Sequence, residues 1–202
     1  MKTISQLIIT MMICLFSIQT WAQSGKLFNT DNQLSSNLAT QVFQDKSGFI
    51  WIATRNGLNN YDGYHITVIK KDMSNFSGLN SNYINSIAQD EKEHILLGTN
   101  NSLLEFTGSE FLKIPMLDSK GKELATYVKQ VYPLKNKDVA VATSGYGIMI
   151  KKKGAQECHA MKGEVEKLKY IHKLLEDKRG RLWIITEDGK LYRKETNGRV
   201  TS

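Results

Sequence analysis

Four short segments concentrate side chains able to hold a polar ligand: Arg55-Asn56, Asn100-Asn101, Ser144 with Tyr146, and Glu187-Asp188. Each begins one residue after a threonine, at positions 54, 99, 143 and 186, so they recur at intervals of 45, 44 and 43 residues. Amides and a charged pair hydrogen-bond to hydroxyls, and an aromatic ring stacks on an apolar sugar face. Arg55, Asn56, Asn100, Asn101, Tyr146, Glu187 and Asp188 are therefore the candidate ligand-binding residues. The same residue types also build turns, which is the plainer role for them. Other chemistries find no support. There is no nucleophile elbow and no glycine loop to cradle a phosphate. His65, His94, His159 and His172 show no metal-ligand spacing, so neither a metal nor a cofactor is expected. Glu187 and Asp188, adjacent on a turn, read as solvated acids rather than a catalytic pair. Lys151-Lys152-Lys153 reads as a solvated turn after a strand, not as a nucleic-acid patch.

The elements that position these segments form an internal repeat. Leu34-Ser35-Ser36-Asn37 recurs as Leu79-Asn80-Ser81-Asn82, and Gln44-Asp45 as Gln89-Asp90. Ile50-Trp51-Ile52-Ala53-Thr54 recurs as Ile95-Leu96-Leu97-Gly98-Thr99, while Leu58, Tyr61 and Gly63 are answered by Leu103, Phe106 and Gly108. A third copy runs through Val139 to Thr143 with Leu134 in the aspartate position, and a fourth through Asp177, Trp183 and Thr186. Within each copy, β-branched and aromatic runs alternate with turn signals such as Asn56-Gly57 and Asp62-Gly63. Four strands per period of 43–45 residues predict an all-β chain of β-propeller blades, each of four antiparallel strands. The repeats are placed at about 34–72, 79–115, 124–153 and 169–202. Trp51 and Trp183 fall mid-strand at apolar positions and are expected to pack between blades. Gly163 to Asp177 has helical spacing, but its register with the other copies predicts an inner strand over Lys169–Leu175; a short helix over Glu164–Leu168 stays open.

Residues 1–22 read as a secretory signal peptide: Lys2, an apolar run from Leu7 to Ile18, and a small residue at Ala22. Its removal takes one lysine and no acid, lowering the formal charge from +7 to +6. It also removes Cys14, so Cys158 is left alone, without an intramolecular disulfide and expected at the surface. The remaining 23–202 contain no stretch long and apolar enough to span a membrane, so a periplasmic location is expected.

The run from Leu34 to Gly63 resembles the two-component regulator propeller repeat, with its Leu-Ser-Ser/Asn opening, Gln-Asp, Ile-Trp-Ile-Gly-Thr, Gly-Leu and Tyr/Phe-Asp-Gly. The likeness is partial in the second copy, loose in the third and good again from Asp177 to Gly189. It implies the periplasmic sensor region of a hybrid two-component histidine kinase, responding to glycan-derived oligosaccharides, without the kinase and receiver modules and so not itself an enzyme. Four repeats are fewer than such rings hold. A partial propeller from a longer or truncated sensor is expected, its open ends meeting further blades or a second copy. The alternative is a stand-alone binding or scaffold propeller closed as a four-blade ring, with Lys26 to Thr30 supplying the outer strand of the fourth blade. A propeller lyase or dehydrogenase is disfavoured, since no metal-binding or quinone-contacting set is apparent.

Overall fold

The computed structural model describes residues 25–71 and 78–202; the expected signal peptide lies outside the described residues. Four antiparallel sheets follow one another along the chain. The first holds β1 (Ala39–Gln44), β2 (Ile50–Thr54), β3 (Gly57–Tyr61) and β4 (Ile66–Ile69). The second holds β5 (Ile84–Gln89), β6 (Ile95–Thr99), β7 (Leu103–Phe106) and β8 (Phe111–Ile114). The third holds β9 (Met116–Leu117), paired in parallel at its edge, and the antiparallel β10 (Tyr127–Pro133), β11 (Val139–Ser144), β12 (Ile148–Lys151) and β13 (Cys158–Ala160). The fourth holds β14 (Ile171–Glu176), β15 (Leu182–Thr186), β16 (Leu191–Lys194) and β17 (Val200–Thr201). Among the described residues, helix is confined to two 3-10 turns, Thr30–Asn32 and Glu164–Lys167. The segment with helical spacing thus divides into a short 3-10 turn and an inner strand.

Each repeat signature has a structural cause. The threonine ending the second strand of every blade is buried, and its hydroxyl closes the following turn. Thr54, Thr99, Thr143 and Thr186 donate through Oγ1 to the carbonyls of Gly57, Ser102, Gly147 and Lys190, at 2.8, 3.1, 2.7 and 3.1 Å. The aspartate turn places the third residue after Asp45, Asp90, Leu134 and Asp177 at positive φ, in the left-handed region or beside it. Glycine fills it twice (Gly48, Gly180), but Glu93 and Lys137 adopt the same backbone at φ 68° and 70°. Leu134 keeps this turn through its backbone alone, with its N–H on the Asp138 carbonyl. The six-residue interval from aspartate to tryptophan is a hydrogen bond: Trp51 Nε1 donates to Asp45 at 2.7 Å and Trp183 Nε1 to Asp177 at 3.0 Å.

Successive blades pack face to face, and the second strands show how. In β6, Ile95 and Leu97 join the cluster between the first and second blades, whereas Leu96 joins the one between the second and third. In β11, Val139 and Val141 face back while Ala140 and Ala142 face forward to the fourth blade. A blade covered on both faces therefore reads as a continuous apolar run rather than an alternating one. Trp51 meets Phe106 of the second blade edge-on at 5.7 Å.

The arc stays open. Among the described residues the first and fourth blades show no packing comparable to that between successive blades, and Val42 at one end and Leu175, Ile185 and Leu191 at the other are exposed. Among the described residues no blade covers the face that carries Trp183, and the guanidinium groups of Arg181 and Arg193 lie 5.7 and 5.5 Å from its ring. The fourth blade draws its outer strand from β17, not from Lys26–Thr30. That segment lies on the first blade instead, where Phe28 meets Tyr61 edge-on at 4.9 Å. Cys158 is fully buried rather than superficial, because β9 pairs with β13 in parallel and places Met116 opposite it. Burial pushes its thiol up to about 12. Lys151, at the end of β12, is buried as well, and only Lys152 and Lys153 form the exposed turn.

Two outcomes test this packing. Leu97→Ala empties a site between two covered faces and costs about 2–5 kcal/mol, while Ile185→Ala on the open face costs less than about 1 kcal/mol, both read by denaturant unfolding. The Asp177 carboxyl is held well below the usual carboxylate range, chiefly by the Trp183 indole N–H, with Arg179 and Arg181 adding to it against the opposing effect of burial. A depressed folded-state value gives stability that is complete above the unfolded value of about 3.9 and is lost as pH falls below it. Melting temperature measured against pH should therefore decline below about pH 4, and Asp177→Asn should lower it near neutrality and flatten the acid slope.

Candidate functional site

In every blade the chain turns between the second and third strands beside the entry to the inner strand, so four equivalent turns are set in sequence along the arc. Backbone bonds fix this: Arg55 N–H donates to the Leu38 carbonyl at 3.1 Å, and Glu187 N–H to the Tyr170 carbonyl at 3.0 Å. Within each turn the two residues after the threonine divide the work. The second one shapes the turn. Asn56 N–H donates to Thr54 Oγ1, the Thr99 hydroxyl donates to Asn101 Oδ1, and the Thr186 hydroxyl to Asp188 Oδ1. Lys190 and that hydroxyl hold the Asp188 carboxyl down at about 2. These three candidates thus act as turn residues.

The first residue of each turn projects. Asn100 accepts from the Ser81 hydroxyl at 2.8 Å. The Arg55 guanidinium lies over the Tyr83 ring at 5.6 Å, Tyr83 meets Tyr127 edge-on at 6.1 Å, and Lys129 Nζ lies 4.4 Å from the Tyr127 ring. Lys129 then reaches the Glu187 carboxylate at 3.3 Å. Arg55 and Glu187, 132 residues apart in sequence, are so joined across four blades by a row of rings and charges. Tyr127 donates to Asn85 Oδ1 at 2.9 Å; burial first, and then the neighbouring Tyr83 hydroxyl, push its pKa up to about 12.

Glu187 and Asp188 also line a cleft of about 580 Å³ with Tyr170, Tyr192, Lys167 and Lys169. Tyr146 is 43% exposed in its turn and takes no part in the contacts of this row. The turns alone do not reveal the tyrosines: Tyr83, Tyr127 and Tyr170 precede successive inner strands at steps of 44 and 43 residues, a periodicity legible in the sequence, with Leu38 as their counterpart in the first blade. Spacing likewise conceals Asp90, His94 and Glu105, whose ligand-type atoms lie within 4.8 Å of one another. His94 Nδ1 and Glu105 Oε1 are 2.7 Å apart. Leu96 stands there in the tryptophan position, and this side-chain pair takes the place of the indole-aspartate bond.

Residues 33–56, 78–101 and 167–188 match the model of the two component regulator propeller. The first, second and fourth repeats thus match the two component regulator propeller repeat. Solved structures share the architecture. The extracellular domain of the putative hybrid two component system BT3049 from B. thetaiotaomicron superposes with a TM-score of 0.75 at 21% identity, over 87% of this chain and 26% of that one. The corresponding domain of BT4673 from the same organism gives 0.70 at 16% identity, over 82% and 25%. A catalytically inactive virginiamycin B lyase from Staphylococcus aureus gives 0.65 at 12% identity, over 89% and 60%. The chain thus spans about a quarter of the length of the two sensor domains, and at these identities the likeness concerns the fold. No curated protein sequence matches it. No helix among the described residues is long and apolar enough to cross a membrane.

The propeller's tyrosine row has a direct spectroscopic consequence. In an alkaline titration followed by ultraviolet absorbance, one tyrosine should ionise at about pH 12, and Tyr127→Phe should delete that step. Titration of every tyrosine near 10 would contradict the partial burial of Tyr127.

Proposed function

We propose that this chain is the ligand-sensing propeller region of an exported two-component sensor, and that it binds oligosaccharides on the blade ends carrying the tyrosine row. The exported, periplasmic setting is carried by the leader-like residues 1–22 together with the repeat family. The observation that carries the site is the continuous run of Arg55, Tyr83, Tyr127, Lys129 and Glu187, beside a cleft that contains Tyr170, Glu187 and Asp188. Aromatic faces suit the apolar face of a sugar ring, and flanking carboxylates, amides and ammonium groups suit its hydroxyls. The cleft volume lies in the ordinary range for small-ligand sites. In this reading Arg55, Asn100, Tyr146 and Glu187 touch ligand, while the side chains of Asn101 and Asp188 and the backbone N–H of Asn56 support the turns that present them. The propeller contributes recognition, not catalysis: a sensor needs affinity that differs between two states rather than a reacting group.

Calorimetric titration of the chain with a panel of soluble oligosaccharides tests this reading. At least one should bind, and Tyr170→Ala and Glu187→Gln should each weaken that binding about tenfold or more without lowering the melting temperature appreciably. Absence of binding across the panel, or binding that neither variant changes, would overturn it.

A further inference from the structure

The second blade departs from the first and fourth at three positions, and the three departures meet in space. The aspartate after the inner strand is kept, but its partner is not. In the first and fourth blades an indole N–H donates to Oδ2 of that aspartate, from Trp51 to Asp45 at 2.7 Å and from Trp183 to Asp177 at 3.0 Å. Leu96 stands in the indole's place in the second blade and has no side-chain N–H to give. Phe49 and Arg181, four residues after the aspartate, are answered by His94. Asn60 and Arg193, opposite the tryptophan on the third strand, are answered by Glu105.

Asp90 is left half satisfied by these changes. Its Oδ1 accepts the backbone N–H groups of Lys92 and His94 at 2.8 and 2.9 Å. Its Oδ2 accepts no hydrogen bond among the described residues, and faces His94 Nδ1 at 4.0 Å, too far for one. Glu105 Oε1 lies 2.7 Å from the same nitrogen, and its other oxygen accepts no hydrogen bond among the described residues. The Asp90 and Glu105 side chains are only 5% and 9% exposed. Two carboxylates withdrawn so far from water require cationic partners. Among the described residues no lysine or arginine pairs with either one, and Lys153 of the next blade goes to Glu91 instead, at 3.4 Å. A single imidazole, even protonated, leaves the group with a net negative charge.

We propose that Asp90, His94 and Glu105 bind a divalent transition-metal cation, of which zinc is the best match. The three offer ligand atoms within 4.8 Å of one another. One ring nitrogen with two carboxylate oxygens suits zinc, whereas calcium and magnesium take oxygen ligands. A tetrahedral zinc ion with ligands at about 2.0–2.2 Å holds its ligand atoms about 3.4 Å apart. The site therefore forms by drawing Asp90 Oδ2 in from 4.0 Å and easing the His94–Glu105 contact out from 2.7 Å. The ion replaces the proton between His94 and Glu105, the neutral ring keeping its own proton on Nε2, and water takes the fourth position. The His94 side chain, 35% exposed, lies at the solvent side of the cluster and gives the ion its way in. The cation ties the turn after β5 to the start of β6 and to β7, and so holds the second blade where the indole bond holds the first and fourth.

Thermal melting and calorimetric titration of the chelator-treated chain with zinc chloride test this. His94→Gln and Glu105→Gln are the variants, and His159→Gln is the control, since His159 forms an exposed pair with Glu157. One zinc ion per chain should bind and raise the melting temperature by about 5 °C or more once it is a hundredfold above its dissociation constant. Calcium and magnesium should not. Each cluster variant should weaken zinc binding about tenfold or more, and the control should leave it unchanged. Cobalt in zinc's place should give visible absorption bands that His94→Gln abolishes, a signature that an ion pair alone does not produce. A native chain whose melting temperature zinc leaves unchanged, binding that survives both cluster variants, or binding lost with His159→Gln would overturn the proposal.

Discussion

A four-stranded blade has two apolar faces and no means of covering either one, so each blade depends on its neighbours. This constraint organises the molecule. It explains why Ile95, Leu96 and Leu97 are all apolar although they point alternately to opposite sides, and why the largest side chains, such as Trp51, meet rings from the next blade. Burial alone would let blades slide against one another. Bonds from the inner strands prevent this, because Gln41, Ser86 and Gln130 accept the N–H groups of Ile87, Val131 and Leu174, respectively, on the next blade. Apolar area supplies most of the stabilisation, and these bonds set the register.

The same register gives the propeller its candidate binding surface. Since every blade enters from the same end, its turn residues and pre-strand tyrosines arrive on one rim, and contacts between adjacent blades assemble them into a row. The threonine-closed turn matters here: with the side chains of Asn101 and Asp188 committed to the turn, the preceding residue is free to vary, as Arg55, Asn100, Ser144 and Glu187 do. A repeat can thus keep its geometry while changing what it presents to a ligand.

Much of the fold was legible in the sequence, because propeller repeats convert structure into periodicity. The threonine and aspartate positions and the fourth blade's inner strand, despite its helical spacing, could be read from register, and the partial propeller from the number of repeats. What escaped depends on contacts between segments distant along the chain. Cys158 looked superficial beside lysines, and only the parallel pairing of β9 buries it. Trp183 reads as an inter-blade residue from its repeat position, and among the described residues it meets Arg181 and Arg193 of its own blade. Only the closed-ring alternative gives Lys26–Thr30 to the fourth blade, and the segment lies instead on the first, with Phe28 against Tyr61. At the site, the turns were found but their internal division was not, since alternation between shaping and projecting residues is set by where the threonine hydroxyl points. The tyrosine row was visible as a spacing and was passed over because its members lie outside the turns.

The central claim is that blade-to-blade bonds from the inner strands fix the register of the propeller. Residue-resolved amide hydrogen exchange tests it most directly. The amides of Ile87, Val131 and Leu174 should be protected in the native chain, and Gln41→Ala should speed exchange at Ile87 about tenfold or more while leaving Val131 and Leu174 unchanged. Unaltered protection of Ile87 in that variant, or equal acceleration at all three amides, would contradict it.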